Sequence, residues 1–165
     1  MKTLIVYSSK YGGTTKAISK LKEYLKGDIK SFNLNSENLD VKLDNYDNII
    51  IGSSIYAGKI NKKVDNFCND NLSVILQKRV GLFICCGNED KAFKQLEESF
   101  NNKILNQSII KGYFGYEYNF DKMNFVFKMI VKKLSGVKKS RSVIRENNIE
   151  KFAYKFNGGD VSWKI

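Results

Sequence analysis

The chain contains no histidine, no proline and only three cysteines among its 165 residues. Without histidine there is no Ser–His or Cys–His nucleophile pair and no histidine-based metal site, so no metal site is predicted. The odd number of cysteines is typical of a reducing compartment, and the adjacent Cys85 and Cys86 are interpreted as small packing residues rather than a strained disulfide. Any chemistry is therefore expected to come from a bound cofactor.

Long apolar runs are also absent, because no stretch approaches the ~20 residues that span a bilayer. Residues 1–6 are too short for a secretory signal and are typical of a first strand. We therefore expect a cytoplasmic protein, with a peripheral position at the inner face of the membrane as an alternative. The length favours a single domain, residues 1–165, with an insert at about 119–146.

Strong apolar strands alternate with amphipathic helices along the chain. Strands are predicted at 3–8, 28–33, 48–53, 79–85 and 108–118. Helices are predicted at about 14–26, 61–71, 90–100, 120–135 and 148–156. This alternation is typical of βαβ units and predicts an α/β fold. We expect a doubly wound, five-stranded parallel sheet with helices on both faces and an extra basic helix before the last one.

The turn after the first strand, Ser8-Ser9-Lys10-Tyr11-Gly12-Gly13-Thr14-Thr15, is rich in hydroxyls and glycines. Ligands of such sheets bind beyond the carboxyl ends of the strands. An anion here would meet the free N–H groups of the next helix, and glycines would allow close backbone approach. The turn matches neither the Walker loop nor the dinucleotide fingerprint. An ordinary turn with Thr14 as the helix N-cap is the alternative.

This segment resembles the phosphate loop of flavodoxins, in which a hydroxyl residue is followed by any residue, Thr, Gly, any residue and Thr. Ser9, Gly12 and Thr14 match that pattern. Tyr11 replaces the middle Thr, and Lys10 adds a cation. The resemblance implies a flavodoxin-like sheet of order 2-1-3-4-5 with FMN as the cofactor, bound where the strand order reverses.

Two further turns would then flank the flavin ring. Residues 54–58 offer Ile55 or Tyr56 to the ring face and the peptide of Gly58 to flavin N5, unless they form a plain loop with a surface tyrosine. Residues 86–89 offer backbone N–H groups to the pyrimidine edge. The predicted cofactor-binding residues are Ser9, Lys10, Tyr11, Gly12, Gly13, Thr14, Ser54, Ile55, Tyr56, Ala57, Gly58, Cys86, Gly87, Asn88 and Glu89.

Most of the net charge of +11 lies in one segment. Residues 122–145 hold eight basic residues and no acid, whereas the other 141 residues carry 20 basic and 17 acidic ones. Helical spacing over 121–135 predicts one apolar stripe that packs on the domain. The members of that stripe are Met123, Val126, Phe127, Ile130 and Leu134.

The opposite side of that helix carries Phe125 and Met129 beside Lys128 and Lys132. An apolar pair among lysines suits a membrane surface or an anionic apolar ligand. A solvated helix face or a dimer contact is the alternative. With Arg141, these four residues are the predicted contacts to a substrate or membrane.

The same region carries a second resemblance, to the flavodoxin-domain family of menaquinone-dependent protoporphyrinogen oxidases. The matching residues are Gly112-Tyr113-Phe114, Tyr118, Asp121-Lys122, Phe125, Phe127-Lys128-Met129-Ile130, Leu134-Ser135-Gly136 and Phe152-Ala153. The resemblance implies a quinone acceptor and a porphyrinogen whose propionates meet the basic insert. The sequence departs from the family at the acidic Glu89-Asp90 and in the basic residues 137–141.

Three functions follow from these observations. The favoured one is an FMN-dependent oxidoreductase or electron-transfer flavoprotein that oxidises protoporphyrinogen IX with a quinone. A one-electron carrier serving a redox-protein partner is the second, although such carriers are usually acidic. A basic nucleic-acid-binding module is the third, and nucleic acid is the least favoured partner.

Overall fold

The structure is a computed structural model that describes residues 1–159, with only the backbone of Leu134. Its strands are β1 (Lys2–Ser8), β2 (Asp28–Asn33), β3 (Asn48–Ser54), β4 (Arg79–Cys85), β5 (Ser108–Tyr113), β6 (Gly115–Tyr118) and β7 (Arg141–Ile144). Its helices are α1 (Gly13–Tyr24), α2 (Lys62–Asp70), α3 (Leu72–Ile75), α4 (Ala92–Ser99), α5 (Asn102–Gln107), α6 (Phe125–Ser135) and α7 (Glu146–Phe156). The last helix stops short of residues 160–165, which lie outside the described part of the predicted domain.

Five strands form a parallel sheet of order β2-β1-β3-β4-β5, so the predicted fold class and strand order are confirmed. β1, β3 and β4 are apolar on both faces, and the central residues of each are buried. Strands covered on both faces are expected to be continuous apolar runs, since neither face meets water. β2 lies at the edge and alternates between exposed and partly buried residues.

Alternate side chains of the strands pack into two separate hydrophobic cores, one on each face of the sheet. Leu4, Val6 and Ile51 pack against α2–α5 on one face of the sheet. Ile5 and Phe83 pack against α1 and α7 on the other face. This arrangement follows from the two-residue period of a strand.

The single strand predicted at 108–118 is wrong, because the chain leaves the sheet at Phe114. The Phe114 ring stacks on Phe83 at a centroid distance of 4.5 Å, and Gly115 then turns the backbone with φ +89°. Residues 115–118 become β6, which pairs antiparallel with β7. β7 lies in a stretch for which the sequence predicts neither a strand nor a helix, because only two of its four residues are apolar and only the pairing with β6 defines it as a strand. The segment between the sheet and α7, residues 115–145, is called the insert below.

The predicted buried stripe of α6 is partly wrong. The helix begins at Phe125, where the Asn124 side chain accepts a hydrogen bond from the Phe127 N–H at 2.8 Å. Val131 is buried, but Val126 and Ile130 are 64% and 44% exposed. The Leu134 side chain of that stripe lies outside the described atoms. The helix packs on two turns rather than on the sheet, so only a narrow side of it is covered.

None of the helices within residues 1–159 combines the length and apolar character needed to cross a membrane.

Candidate functional site: a cavity at the carboxyl ends of the strands

The turns after β1, β3 and β4 converge on one cavity of about 690 Å³. They meet because the carboxyl ends of neighbouring parallel strands lie at the same edge of the sheet. The two-stranded sheet of β6 and β7 and the inner side of α6 complete the wall. The volume falls within the range of small-molecule sites, roughly 300–1,000 Å³.

The first turn is held by a side chain that the sequence interpretation missed. Asn33, at the end of β2, accepts a hydrogen bond from the Ser9 N–H at 2.9 Å and donates its amide to the Ser9 carbonyl at 3.0 Å. Asn33 is buried, so both bonds are shielded from water. No local signal in the sequence marks this role, because the two residues meet only when β2 pairs with β1.

Helix α1 begins immediately after Gly12, which adopts φ +97°. The N-cap residue is Gly12, which has no side chain, and Thr14 lies inside the helix, so the alternative in which Thr14 serves as the N-cap is wrong. Ser9 Oγ instead accepts a hydrogen bond from the Thr15 N–H at 3.3 Å. Thr14 Oγ1 is buried in the cavity wall and has no hydrogen-bond partner among the described residues. A buried hydroxyl without a partner is costly, which favours a ligand at this position.

Cations surround this turn. Lys122 Nζ lies 3.5 Å from the position that a Cβ atom on Gly12 would occupy. Lys10 Nζ lies 5.4 Å from the Tyr11 ring centroid and 5.3 Å from that of Phe127. Lys122 was not predicted here, because it belongs to the insert and only the folded chain brings it to the first turn.

One carboxylate also faces this turn. Glu117 on β6 forms an ion pair with Lys16 at 2.8 Å, and its Oε2 is buried without a hydrogen-bond partner among the described residues. A Cβ on Gly13 would lie only 2.8 Å from the Glu117 Cβ, which is too close. Residue 13 must therefore be a glycine for β6 to pack this closely against the start of α1. Lys16 offsets the charge that Glu117 brings to the cavity.

The second turn is a tight reversal between Tyr56 and Lys59, whose backbone groups exchange hydrogen bonds of 2.9 and 3.1 Å. Ala57 and Gly58 both have positive φ, +50° and +80°, as in a type I′ turn. Ala57 is the one non-glycine residue with positive φ within residues 1–159. Ser54 Oγ, at the start of this turn, is buried without a hydrogen-bond partner in the same range. The strain and the unpaired hydroxyl both lie on the cavity wall.

The third turn is fixed by contacts to the insert and to β5. The Cys86 N–H donates to the Gly115 carbonyl at 3.0 Å, and the Tyr113 hydroxyl donates to the Cys86 carbonyl at 3.1 Å. The Cys86 N–H therefore already has a hydrogen-bond partner. The N–H groups that the turn can offer to a ligand are those of Gly87 and Asn88. Arg145 forms an ion pair with Glu89 and ties the turn to the end of the insert.

The neighbouring thiols stay protonated at neutral pH. Burial raises the pKa of Cys85 to about 12 and that of Cys86 to about 11. Thiolates are the reactive form of cysteine, so these residues are inert at neutral pH. Their packing role agrees with the interpretation from the sequence.

An aromatic cluster joins the first two turns to α6. The Phe127 ring lies 5.3 Å from that of Tyr11 and 5.4 Å from that of Tyr56, measured between centroids. Burial raises the pKa of Tyr56, which keeps its hydroxyl neutral. The Tyr118 hydroxyl lies over Gly87, where a Cβ would approach it to 1.8 Å. The cavity therefore has aromatic walls beside the polar first turn.

The structure brings most of the predicted cofactor-binding residues together. All of them except Lys10 and Gly12 line the cavity, and those two lie in the first turn itself. Among the predicted substrate or membrane contacts, Arg141 lines the cavity, whereas Phe125, Lys128, Met129 and Lys132 do not. The cavity residues that the sequence interpretation missed come from α4, β6 and the surroundings of α6. They are Gln95, Tyr116, Glu117, Tyr118, Met123, Phe127, Ile130, Val131, Ser135 and Val137, together with Cys85 and Asp90 beside the third turn.

The residues present fit a flavin that carries a phosphate. The first turn combines a helix start, buried hydroxyls without partners and nearby lysines, which is the chemistry that binds a phosphate. The aromatic and glycine-bearing turns beside it suit a flat ring with polar edges. Within residues 1–159, no group of three or more cysteine, aspartate and glutamate side chains is placed to hold a metal ion.

Comparisons with known proteins agree with this architecture. Residues 4–143 match the model of the family described as "Flavodoxin domain", so the chain belongs to the flavodoxin domain family. A search of curated sequences finds no match.

Solved structures of low sequence identity share the fold. Flavodoxin 1 of Bacillus cereus, in its oxidised form, is 14% identical with a TM-score of 0.54, over 94% of this chain and 97% of that one. The flavodoxin of Fusobacterium nucleatum, solved with FMN bound, is 12% identical with a TM-score of 0.53, over 95% and 97% of the two chains. The Flv1 flavodiiron core of Synechocystis is 16% identical with a TM-score of 0.54. The alignment includes 96% of this chain but only 36% of that protein.

Proposed function

We propose that this protein is an FMN-dependent oxidoreductase or electron-transfer flavoprotein. The observation that carries the proposal is the convergence of three turns on one cavity, with buried hydroxyls that lack partners beside a helix start. Membership of the flavodoxin domain family and the FMN bound to the related F. nucleatum flavodoxin support FMN as the cofactor.

Each part of FMN has a suitable place in the cavity. The phosphate would be held by the N–H groups of residues 12–15, by Ser9 and Thr14, and by the charge of Lys122. Ser54 Oγ and Glu117 Oε2, which have no partners among the described residues, suit the ribityl hydroxyls. Tyr56 and Gly58 would lie at the ring, with Gly87 and Asn88 at its polar edge.

The bound flavin supplies the redox chemistry, taking electrons from a reduced donor and passing them to an acceptor. The chain itself orients the ring and excludes water with the Tyr11, Tyr56 and Phe127 rings. Its neighbouring thiols do not participate, since burial keeps the pKa of Cys85 and Cys86 well above neutral pH. The neutral Tyr56 hydroxyl keeps a negative charge away from the ring.

The acceptor is proposed to be a quinone. The side of α6 that faces the cavity contributes Phe127 and Val131, which form an apolar wall next to the predicted flavin position. Such a wall suits a flat apolar molecule that lacks charge. The wall comes from the insert, so it is an addition to the turns that would hold the flavin.

The donor is proposed to be protoporphyrinogen IX, on the basis of the resemblance of the insert to the menaquinone-dependent oxidases. Arg141 lines the cavity and would meet a propionate. The flavin-loaded protein should then form protoporphyrin when a soluble quinone is present, and Arg141→Gln should raise KM more than it lowers kcat. Absence of porphyrin fluorescence with a reducible flavin would exclude this donor.

A one-electron carrier for a redox-protein partner is the second candidate. The flavodoxins of B. cereus and F. nucleatum align with this chain over nearly the full length of both proteins, which favours this function. A carrier should exchange electrons with a reductase protein and show no quinone-dependent oxidation of porphyrinogen.

The visible spectrum of the purified full chain tests the cofactor. We expect absorption bands of bound flavin, or their appearance on addition of FMN, with tighter binding of FMN than of riboflavin because the phosphate contributes. A colourless protein that binds no FMN at saturation would contradict the proposal. If that protein also binds DNA with steep salt dependence, the nucleic-acid-binding function would replace it.

A further inference from the structure

The outer face of α6 is an exposed apolar surface. Four of the eight large apolar side chains exposed within residues 1–159 lie on this helix of 11 residues. Phe125 is 74% exposed, Val126 64%, Met129 57% and Ile130 44%. Residues three and four positions apart are neighbours on a helix surface. Phe125 and Met129, Val126 and Ile130, and Val126 and Met129 are such pairs, so the four side chains form a continuous strip.

Lysines border this strip. Lys132 and Lys133 are exposed on the same helix, Lys128 is partly exposed, and the exposed Lys138 and Lys139 follow in the next segment. Residues 122–145 contain no acid that would neutralise them. The face therefore presents apolar side chains and uncompensated positive charge together.

We propose that the outer face of α6 docks peripherally on an anionic lipid bilayer. The headgroup region of such a bilayer offers negative phosphates directly above apolar acyl chains, and this layering matches lysines beside an apolar strip. The long lysine side chains reach the phosphates while their stems stay near the acyl boundary. The helix would lie in the plane of the interface, since it is too short to cross the bilayer.

Other partners match the surface less well. A second copy of the chain would place lysines against lysines across a two-fold contact, which is unfavourable. A nucleic acid would meet the positive charge but would leave Phe125, Val126 and Met129 facing water. The bilayer accounts for both the charge and the apolar strip.

Docking would bring the cavity to the membrane surface. The inner side of the same helix contributes Phe127 and Val131 to the cavity wall. Ile130, at one edge of the strip, lines the cavity as well, so the strip adjoins the cavity. The docking itself does not require a flavin, because Phe125 and Met129 do not line the cavity, so it stands independently of the proposed function.

Vesicle sedimentation of the full chain, loaded with FMN, tests the proposal. We expect binding to phosphatidylcholine vesicles that contain about one third phosphatidylglycerol, and much weaker binding to pure phosphatidylcholine. The pair Phe125→Ser and Met129→Ser should lower the partition coefficient at least about tenfold. The pair Lys128→Gln and Lys133→Gln should lower it roughly tenfold on anionic vesicles only. Tyr154→Ser on α7, where the side chain is 55% exposed, is the matched control and should change nothing.

Three results would overturn the proposal: no binding to anionic vesicles, equal binding to both kinds of vesicle, or binding that neither pair weakens. A concentration-dependent dimer that the serine pair abolishes, without vesicle binding, would assign the face to a second copy instead. The flavin spectrum is recorded for every variant. A wild-type chain that sediments with anionic vesicles but binds no FMN would retain the docking and contradict the flavin assignment.

Discussion

The parallel sheet and the insert, residues 115–145, both contribute walls to the cavity but differ in packing and charge. The sheet lies between two cores in which Leu4, Ile50 and Phe83 are fully buried. The insert packs through a small cluster around Tyr11 and Val131 and leaves four apolar side chains exposed. Residues 122–145, within the insert, also hold eight basic residues and no acid, and thus most of the net charge of +11. The sheet thus supplies the three turns of the cavity, and the insert supplies the rest of its wall and the exposed apolar face of α6.

The largest expected effect is a difference in stability between the core of the sheet and the cluster of the insert. Phe83→Ala removes a buried ring that stacks on Phe114, and we expect a loss of about 3–5 kcal/mol in the free energy of unfolding. Phe127→Ala in the insert should cost only about 1–2 kcal/mol, since its ring is half-buried and can be replaced by water. Urea denaturation followed by circular dichroism measures both. Equal losses would show that the insert is part of the main core.

The next effect concerns the first turn. Thr14→Val keeps the shape of a buried side chain but removes the hydroxyl that lacks a partner. We expect the dissociation constant for FMN to rise roughly tenfold to a hundredfold, whereas that for riboflavin stays unchanged. Thr15→Val, at an exposed neighbour, serves as the control in the same fluorescence titration. A similar weakening for both flavins would place Thr14 away from the phosphate.

The next effect is a pH dependence of stability that comes from the buried thiol of Cys68 in the layer of helices against the sheet. Burial raises the pKa of Cys68 from 9.0 to about 12, so the native state holds this proton between those pH values while the unfolded chain has lost it. The free energy of unfolding must therefore fall as pH rises from 9 towards 12, by up to ~1.4 kcal/mol per pH unit for this group. Urea unfolding of Cys68→Ala at pH 8 and pH 10 should show a smaller fall than the wild type. An identical fall in both would mean that Cys68 is not the group responsible.

The smallest effect tests whether the insert assists the cofactor site. Lys122 Nζ lies beside Gly12, so Lys122→Met should weaken FMN binding roughly threefold at low salt, and less at high salt. Lys128→Met, on the outer face of the insert, should leave FMN binding unchanged. If the two variants behave alike, the net charge of the insert matters rather than the position of Lys122.

The sheet and its first turn were predictable because their signals are local. An apolar run such as residues 79–85 can be buried on both faces only in a covered strand, and the pattern of Ser9, Gly12 and Thr14 lies within one turn. The convergence of the three turns then follows from the parallel arrangement of the strands. The family match over residues 4–143 agrees with this prediction.

The insert was less predictable because its structure depends on distant partners. The strand at 141–144 exists through its pairing with β6, and nothing in its own four residues requires it. The sequence wrongly predicts that Val126 and Ile130 of α6 are buried. Helical spacing gives the positions of side chains around the helix axis, but it does not show which side of the helix is covered. Asn33 and Lys122 reach the first turn only through tertiary contacts.

The amino-acid sequence alone determined the parallel α/β architecture, the phosphate-loop pattern and the concentration of positive charge in one segment. These properties depend on residues close together in the chain, where periodicity and composition act directly. The tertiary structure decided which hydroxyls remain without partners, which lysine reaches the first turn and which side of α6 faces outward. Those outcomes depend on contacts between segments far apart in sequence, whose geometry is fixed only when the sheet and the insert pack together.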